Sequence, residues 1–170
     1  SMTGGNRFNN ITFNGSGAWS FAGNAADVNG SFTTTLGTVT SPTSTLNVSG
    51  NYNQGGGTYT SGAGGQLNIT GNFAKTSGTF TAGTSTIRVA GNWSNSSTFT
   101  ANTSTVIMNA TSTGRTMSGT LSGTSGRFNI LQFNGVGGGW TISSTLHTLR
   151  NFTITNGAVN ANATIQVGGS

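Results

Sequence analysis

The sequence predicts an all-β protein, a right-handed, three-sided parallel β-solenoid of about eight coils of ~20 residues each. Three observations predict this fold class. A glycine-centred motif recurs about every 20 residues, a threonine-flanked motif follows each copy, and apolar residues alternate with polar ones within each unit. Repetition at such a period is typical of architectures in which each unit stacks on the next.

The first motif has an apolar residue two positions before a glycine and an aromatic residue two positions after it. Its glycines are 20, 21 and 20 residues apart, at Gly30, Gly50, Gly71 and Gly91. The second motif, Thr–apolar–Thr, keeps its distance from the first within one residue. Its copies are Thr38-Val39-Thr40, Thr58-Tyr59-Thr60, Thr79-Phe80-Thr81 and Thr98-Phe99-Thr100. This constant phase indicates that both motifs belong to one coil.

Apolar pairs two residues apart mark the strands. The pairs are Leu46 and Val48, Leu67 and Ile69, Ile87 and Val89, and Val106 and Met108. Because residues two apart point to the same side of an extended chain, each pair is expected to face the core and its polar neighbours to face outward. The Gly-Asn step that follows permits a sharp bend, where asparagines are expected to bond from coil to coil. Frequent glycines argue against helices.

The composition is unusual for a globular protein. Charged residues make up 4% of the chain, and six cations against one acid give a net charge of +5. The cations are scattered singly, which argues against specific nucleic-acid binding. The chain has no cysteine. No stretch approaches the ~18 consecutive apolar residues of a membrane span, so no membrane insertion is expected.

A longer sequence repeat, which spans several coils, suggests the domain organisation. Arg7-Phe8-Asn9 returns as Arg127-Phe128-Asn129, an offset of 120 residues. We therefore expect a tag remnant and lead-in at 1–6, beginning with Ser1-Met2, one six-coil super-repeat at 7–126 and the start of a second at 127–170. The absence of a polar cap predicts that the native protein continues in at least one direction.

Groups able to perform catalysis are scarce. Glycoside hydrolysis typically needs two carboxylates, whereas this chain has only Asp27. His147 is the sole histidine, and no cysteine accompanies it in a metal site. The sequence therefore predicts no catalytic residue, no cofactor and no metal ligand, and the chain is not expected to be an enzyme.

The repeat style resembles a known class of protein. The run from Ser104-Thr105-Val106 to Thr113-Gly114, then Met117-Ser118-Gly119, and the Gly-Asn-aromatic elements resemble very large bacterial surface proteins. Those are β-solenoid repeat proteins similar to haemagglutinin-type adhesins and autotransporter passengers. The resemblance implies a secreted or cell-surface location and a role in adhesion, aggregation or spacing. It implies no particular binding site.

These observations favour a structural rod or spacer, with several alternatives. An adhesin would bind glycans or other cell-surface polymers through outward ladders, and ice recognition through the Thr-x-Thr ladder is a more remote alternative. The ladder is expected to fade at Thr116-Met117-Ser118 and at Ala158-Val159-Asn160. A disordered polar linker is the last alternative, and end-to-end self-association is expected of uncapped coils. The candidate ladder contacts are Thr38, Thr40, Thr58, Thr60, Thr79, Thr81, Thr98, Thr100, Asn47, Asn68 and Arg88.

Overall fold

The computed structural model describes residues 6–21 and 23–168, which form a parallel β-solenoid without any helix in those ranges. The prediction of an all-β solenoid with about eight turns, roughly 20 residues apart, is confirmed. The handedness of the coil and the number of its sides stay predictions. The proposed tag remnant Ser1-Met2 lies outside the described residues.

Most strands are three or four residues long. In chain order they are β1 (Asn6–Phe8), β2 (Ile11–Phe13), β3 (Ala18–Ser20), β4 (Ala26–Val28), β5 (Phe32–Thr34), β6 (Thr38–Thr40), β7 (Thr45–Val48), β8 (Tyr52–Gln54), β9 (Thr58–Thr60), β10 (Gln66–Ile69), β11 (Phe73–Lys75), β12 (Thr79–Thr81), β13 (Thr86–Val89), β14 (Trp93–Asn95), β15 (Thr98–Thr100), β16 (Thr105–Met108), β17 (Arg115–Gly119), β18 (Ile130–Ile142), β19 (Leu146–Thr148), β20 (Phe152–Ala161) and β21 (Ile165–Val167).

The strands pair in parallel with their equivalents in the neighbouring turns and form three ladders. The first ladder contains β1, β4, β7, β10, β13 and β16, and continues through the beginnings of β18 and β20. The second contains β2, β5, β8, β11, β14 and β17, and continues through the ends of β18 and β20. The third contains β3, β6, β9, β12 and β15, with β19 and β21 pairing further along the chain.

The core follows the alternation of the sequence. In the first ladder both residues of each apolar pair are buried, as at Leu67 and Ile69. In the third ladder the central residue of each Thr–apolar–Thr motif is buried, as at Phe80. The aromatic residues that follow the glycine motif fill the second ladder from inside, and Trp93 is fully buried. Burial of this apolar surface is the main driving force for stacking the turns.

The bend between the first and second ladders is held by stacked asparagines and glycines. Asn51 Oδ1 accepts the backbone N–H of Asn72 at 2.9 Å, and Asn72 Oδ1 accepts that of Asn92 at 2.8 Å. The predicted bonding of asparagines from coil to coil is therefore confirmed. Glycine is needed beside them, because a Cβ on Gly50 would lie 2.6 Å from the carbonyl oxygen of Gly30.

The sixth turn is longer than the others. Val106 pairs with Leu131, 25 residues on, whereas Leu67 pairs with Ile87, 20 residues on. The two copies of the longer sequence repeat occupy different ladders, since Phe13 lies in β2 of the second ladder and Phe133 in the first-ladder part of β18. The division of the chain into super-repeats stays a prediction.

Candidate functional site

Two columns of threonine run along the outer side of the third ladder; we call them the threonine face. The pairing places Thr38, Thr58, Thr79 and Thr98 in one column and Thr40, Thr60, Thr81 and Thr100 in the other. Their side chains are outward because the residue between them is buried in every copy. Neighbouring turns lie ~4.8 Å apart and residues two apart about 6.6 Å, so the hydroxyls and methyls form a regular grid.

The assignment of Thr116-Met117-Ser118 and Ala158-Val159-Asn160 to this ladder is wrong. Met117 pairs with Trp93 in β14, and Val159 pairs with Trp140 in the end of β18, so both segments belong to the second ladder. The assignment failed because Thr116-Met117-Ser118 has the same pattern as the Thr–apolar–Thr motif. The sixth turn is longer than the others, so this pattern falls at a different position of the turn. Leu121 and Phe128 take the interior positions of that turn near the third ladder, where they form isolated bridges to Leu146 and Thr148.

A second outward column, the Asp27–Arg88 column, lies on the first ladder, and it is polar and charged. Asp27, Asn47, Asn68 and Arg88 occupy equivalent positions in four consecutive turns. Asn47 Nδ2 donates to Asp27 Oδ1 at 2.8 Å, and Asn68 Nδ2 donates to Asn47 Oδ1 at 2.9 Å. Below them, Arg7 Nε lies 3.7 Å from Asp27 Oδ2. The structure thus brings together the three candidates that the sequence placed on this side.

A shallow groove lies at the upper end of this column. Its volume is about 210 Å³, and it spans the outer side of the fourth to sixth turns. Arg88 lines it, and Arg88 Nη1 donates to Gln66 Oε1 at 2.9 Å. Two amide oxygens of its lining, Asn68 Oδ1 and Asn109 Oδ1, are buried and accept no hydrogen bond within the described residues. Asn109 was not among the residues that the sequence singled out.

Inside the solenoid lies a polar column that sequence reasoning missed. Thr34, Gln54, Lys75 and Asn95 share one position of the second ladder, and each is buried. Their side chains bind carbonyl oxygens of the neighbouring bends, as when Gln54 Nε2 donates to Thr79 O at 3.0 Å and Asn95 Nδ2 to Thr120 O at 2.9 Å. Pairing satisfies polar groups that are costly to bury alone.

Lys75 is the cation of this interior column. Its Nζ donates to the carbonyl oxygen of Gly78 at 2.6 Å and to that of Ser77 at 3.2 Å. Burial lowers the pKa of Lys75 to about 8, because removal from water disfavours the charged form. The same cause acts in the opposite direction on nearby phenols: burial raises the pKa of Tyr52 and of Tyr59 well above 10.0.

The residues with catalytic or metal-binding chemistry lie far apart. Asp27 is on β4 in the second turn, and His147 is on β19 in the seventh. Across residues 6–21 and 23–168 there is no group of three or more histidine, cysteine, aspartate or glutamate residues that could hold a metal ion. The same ranges contain no helix long and apolar enough to cross a membrane.

Comparison with protein-family models, with curated proteins and with solved structures finds no match to the chain. The class that can be stated is therefore the fold: a parallel β-solenoid whose outer surface carries regular polar ladders.

Proposed function

We propose that the chain is a non-catalytic structural rod, a spacer segment of a large bacterial protein that is secreted or held at the cell surface. One observation carries this proposal: the first and second ladders run through successive turns without a gap, the first from β1 to β20 and the second from β2 to β20. Eight turns at ~4.8 Å each give a rod about 40 Å long. Such a stack sets a fixed distance between whatever is attached to its two ends.

The low charge supports this role. In a parallel stack identical positions lie ~4.8 Å apart, and like charges at that spacing repel. Columns of identical asparagine, threonine or aromatic residues are instead stabilised by hydrogen bonds, packing of side chains or ring stacking between neighbouring turns. The single acid of the chain is paired with an arginine below it and an asparagine above it. The composition thus fits a long stack.

Immunogold electron microscopy tests the rod and its location. Antibodies raised against the chain are applied to intact and to permeabilised cells that express its parent protein. We expect gold on intact cells, at a constant distance from the envelope. Labelling that requires permeabilisation would reject the surface location, and gold scattered over all distances would reject the spacer.

Adhesion is the second candidate, in which the outer ladders bind glycans or other cell-surface polymers. The specific observation in its favour is that the candidate residues lie in outward columns: the threonines of the threonine face, and Asn47, Asn68 and Arg88 on the first ladder. A glycan array probed with the labelled chain at low and at physiological salt tests it. Binding to one glycan class that survives salt would support adhesion, and binding lost with salt would leave only general charge attraction.

Ice recognition is a narrower alternative for the threonine face. Its support is the regular grid of two columns with four threonines each. Threonine is also favoured in strands for reasons unrelated to ice. Growth of ice crystals in micromolar protein tests this alternative, and crystals of unaltered shape would reject it.

A further inference from the structure

The hydrogen bonds of the Asp27–Arg88 column, which lines the groove at its upper end, all run in one direction. A carboxylate accepts hydrogen bonds and does not donate them, so Asn47 turns its Nδ2 toward Asp27 and its Oδ1 toward the next turn. Asn68 repeats this orientation, because its Nδ2 donates to Asn47 Oδ1. The single acid of the chain therefore orients both amides. The column ends at Asn68 Oδ1, an acceptor without a donor in the described part of the chain.

The next residue of the column is a cation without an acid beside it. Arg88 lies one turn beyond Asn68, and the chain's only acid lies three turns below, next to Arg7. Gln66 holds Arg88 Nη1, and the side chain of Arg88 is partly exposed at the groove. A guanidinium held in this way presents its remaining N–H groups in a fixed fork, the arrangement that suits a carboxylate.

The rest of the lining supplies acceptors and small residues. Asn109 Oδ1 is a second buried amide oxygen with no donor among the described residues. Thr70 and Ala90 lie between the two amides along the groove lining. The groove thus places a fixed cation beside the exposed polar side chains of Gln66 and Thr70 in about 210 Å³, the scale of a single sugar unit rather than of a protein segment.

We propose that this groove binds one acidic sugar residue of a surface polysaccharide, with the sugar carboxylate on Arg88 and sugar hydroxyls bonded by the exposed side chains of Gln66 and Thr70. This inference rests on the adhesive role given above as the second candidate, and it assigns that role a site and a ligand class. The proposal that the chain is a structural rod does not depend on this inference. A uronic acid unit has the required chemistry: one carboxylate beside several hydroxyl donors.

The test uses the whole 170-residue chain with trigalacturonic acid as the acidic probe and cellotriose as the neutral one, by calorimetry at physiological salt. We expect the acidic trisaccharide to bind and the neutral one to bind at least tenfold more weakly. Arg88→Gln should lose at least tenfold in affinity. Arg88→Lys should lose most of it too, because an ammonium keeps the charge but lacks the fork.

Arg150→Gln is the matched control, since it removes the same charge from an exposed position outside the groove. It should stay within twofold of the unaltered chain. Equal losses of affinity in the two Gln variants, or full affinity in Arg88→Lys, would contradict a specific site. Binding would then reflect general attraction of an acidic sugar to a cationic protein. If the acidic probe does not bind, the proposed ligand class is wrong. Adhesion through another sugar class would still be supported if the glycan array showed binding to that class.

Discussion

The rings of Phe73 and Trp93 stack face to face, with centroids 4.0 Å apart and planes 10° apart. The two residues are register partners in adjacent turns, and Tyr52 continues their column at 5.1 Å from Phe73. A second column from the third ladder meets the first edge-on, as when Phe99 lies 5.2 Å from Trp93 at 85°. The two columns together fix how each turn sits on the next, because a slipped turn would lose both sets of contacts.

Removing one ring from this column should destabilise the whole stack. We expect Trp93→Ala to lower the free energy of unfolding by about 3–5 kcal/mol, the usual cost of deleting a buried aromatic side chain. Ser94→Ala is the control, since Ser94 lies on the same strand but outside the core. It should change stability by less than ~0.5 kcal/mol. Urea denaturation followed by circular dichroism measures both, and similar losses in the two variants would contradict this account of the core.

The glycines of the bend give a second comparison. Gly50→Ala should be destabilising by about 1–3 kcal/mol, because the added Cβ would lie 2.6 Å from the carbonyl oxygen of Gly30 and the turns would have to separate. Gly55→Ala should be neutral or slightly stabilising, since its Cβ would meet no atom closer than 3.9 Å. Thermal unfolding of both variants measures the difference. A Gly50→Ala variant as stable as Gly55→Ala would show that the turns do not approach this closely.

The fold could be predicted from the sequence because each turn of a solenoid repeats the same residue pattern. The glycine spacing gives the length of a turn, and alternation such as Leu67–Asn68–Ile69 gives the inner and outer sides of a strand. The outward columns followed directly, since equal phase places equivalent residues above one another. Asn47, Asn68 and Arg88 were found in this way.

The interior polar column could not be predicted so easily. Gln54 and Lys75 follow the buried aromatic by two positions, so their inward direction was available from the alternation. Their partners, however, are backbone carbonyls at a bend that only the folded stack creates, so the sequence does not show how their polar groups are satisfied. The groove lining was missed for a different reason. Asn109 directly follows the apolar pair Val106 and Met108, but the equivalent positions in the two turns below are Ala90 and Thr70, so no repeated amide marks it.

The buried ammonium of Lys75 makes stability depend on pH in an unusual direction. Its folded-state pKa of about 8 lies below the ordinary lysine value of 10.5, so between these values the unfolded chain binds the additional proton. Stability must therefore rise with pH in this window, by at most ~1.4 kcal/mol per pH unit. Above pH 10 it should fall again, because burial raises the pKa of Tyr52 and Tyr59 and their phenols ionise more readily when unfolded.

Lys75→Met isolates the contribution of the lysine. The variant keeps an unbranched side chain in the column but has no group that titrates there. We expect its urea midpoint to stay level from pH 8 to pH 10, while the midpoint of the unaltered chain rises over the same range. A rise of equal size in the variant would assign the pH dependence to other groups and contradict the burial of the ammonium.

The last turn leaves apolar side chains uncovered, and this predicts self-association of the chain. Ile154 pairs with the buried Phe133, yet it is 49% exposed because no further turn covers it in the described residues. Val167 is similarly placed beside the buried Thr148 and is 54% exposed. The edges of β20 and β21 also present backbone groups that can pair with another chain. We expect end-to-end oligomers whose mass grows with protein concentration.

Light scattering after size-exclusion chromatography, over a hundredfold range of concentration, measures this association. The double variant Ile154→Lys and Val167→Lys should remain monomeric, because charges at an open edge oppose strand addition. Val136→Lys is the control: Val136 is 76% exposed but lies at the register irregularity of β18 rather than at the open edge, so its variant should still associate. Association lost equally in the Val136 variant would indicate a general effect of added charge. A monomer at every concentration would mean that the open edge of the last turn does not accept a second copy.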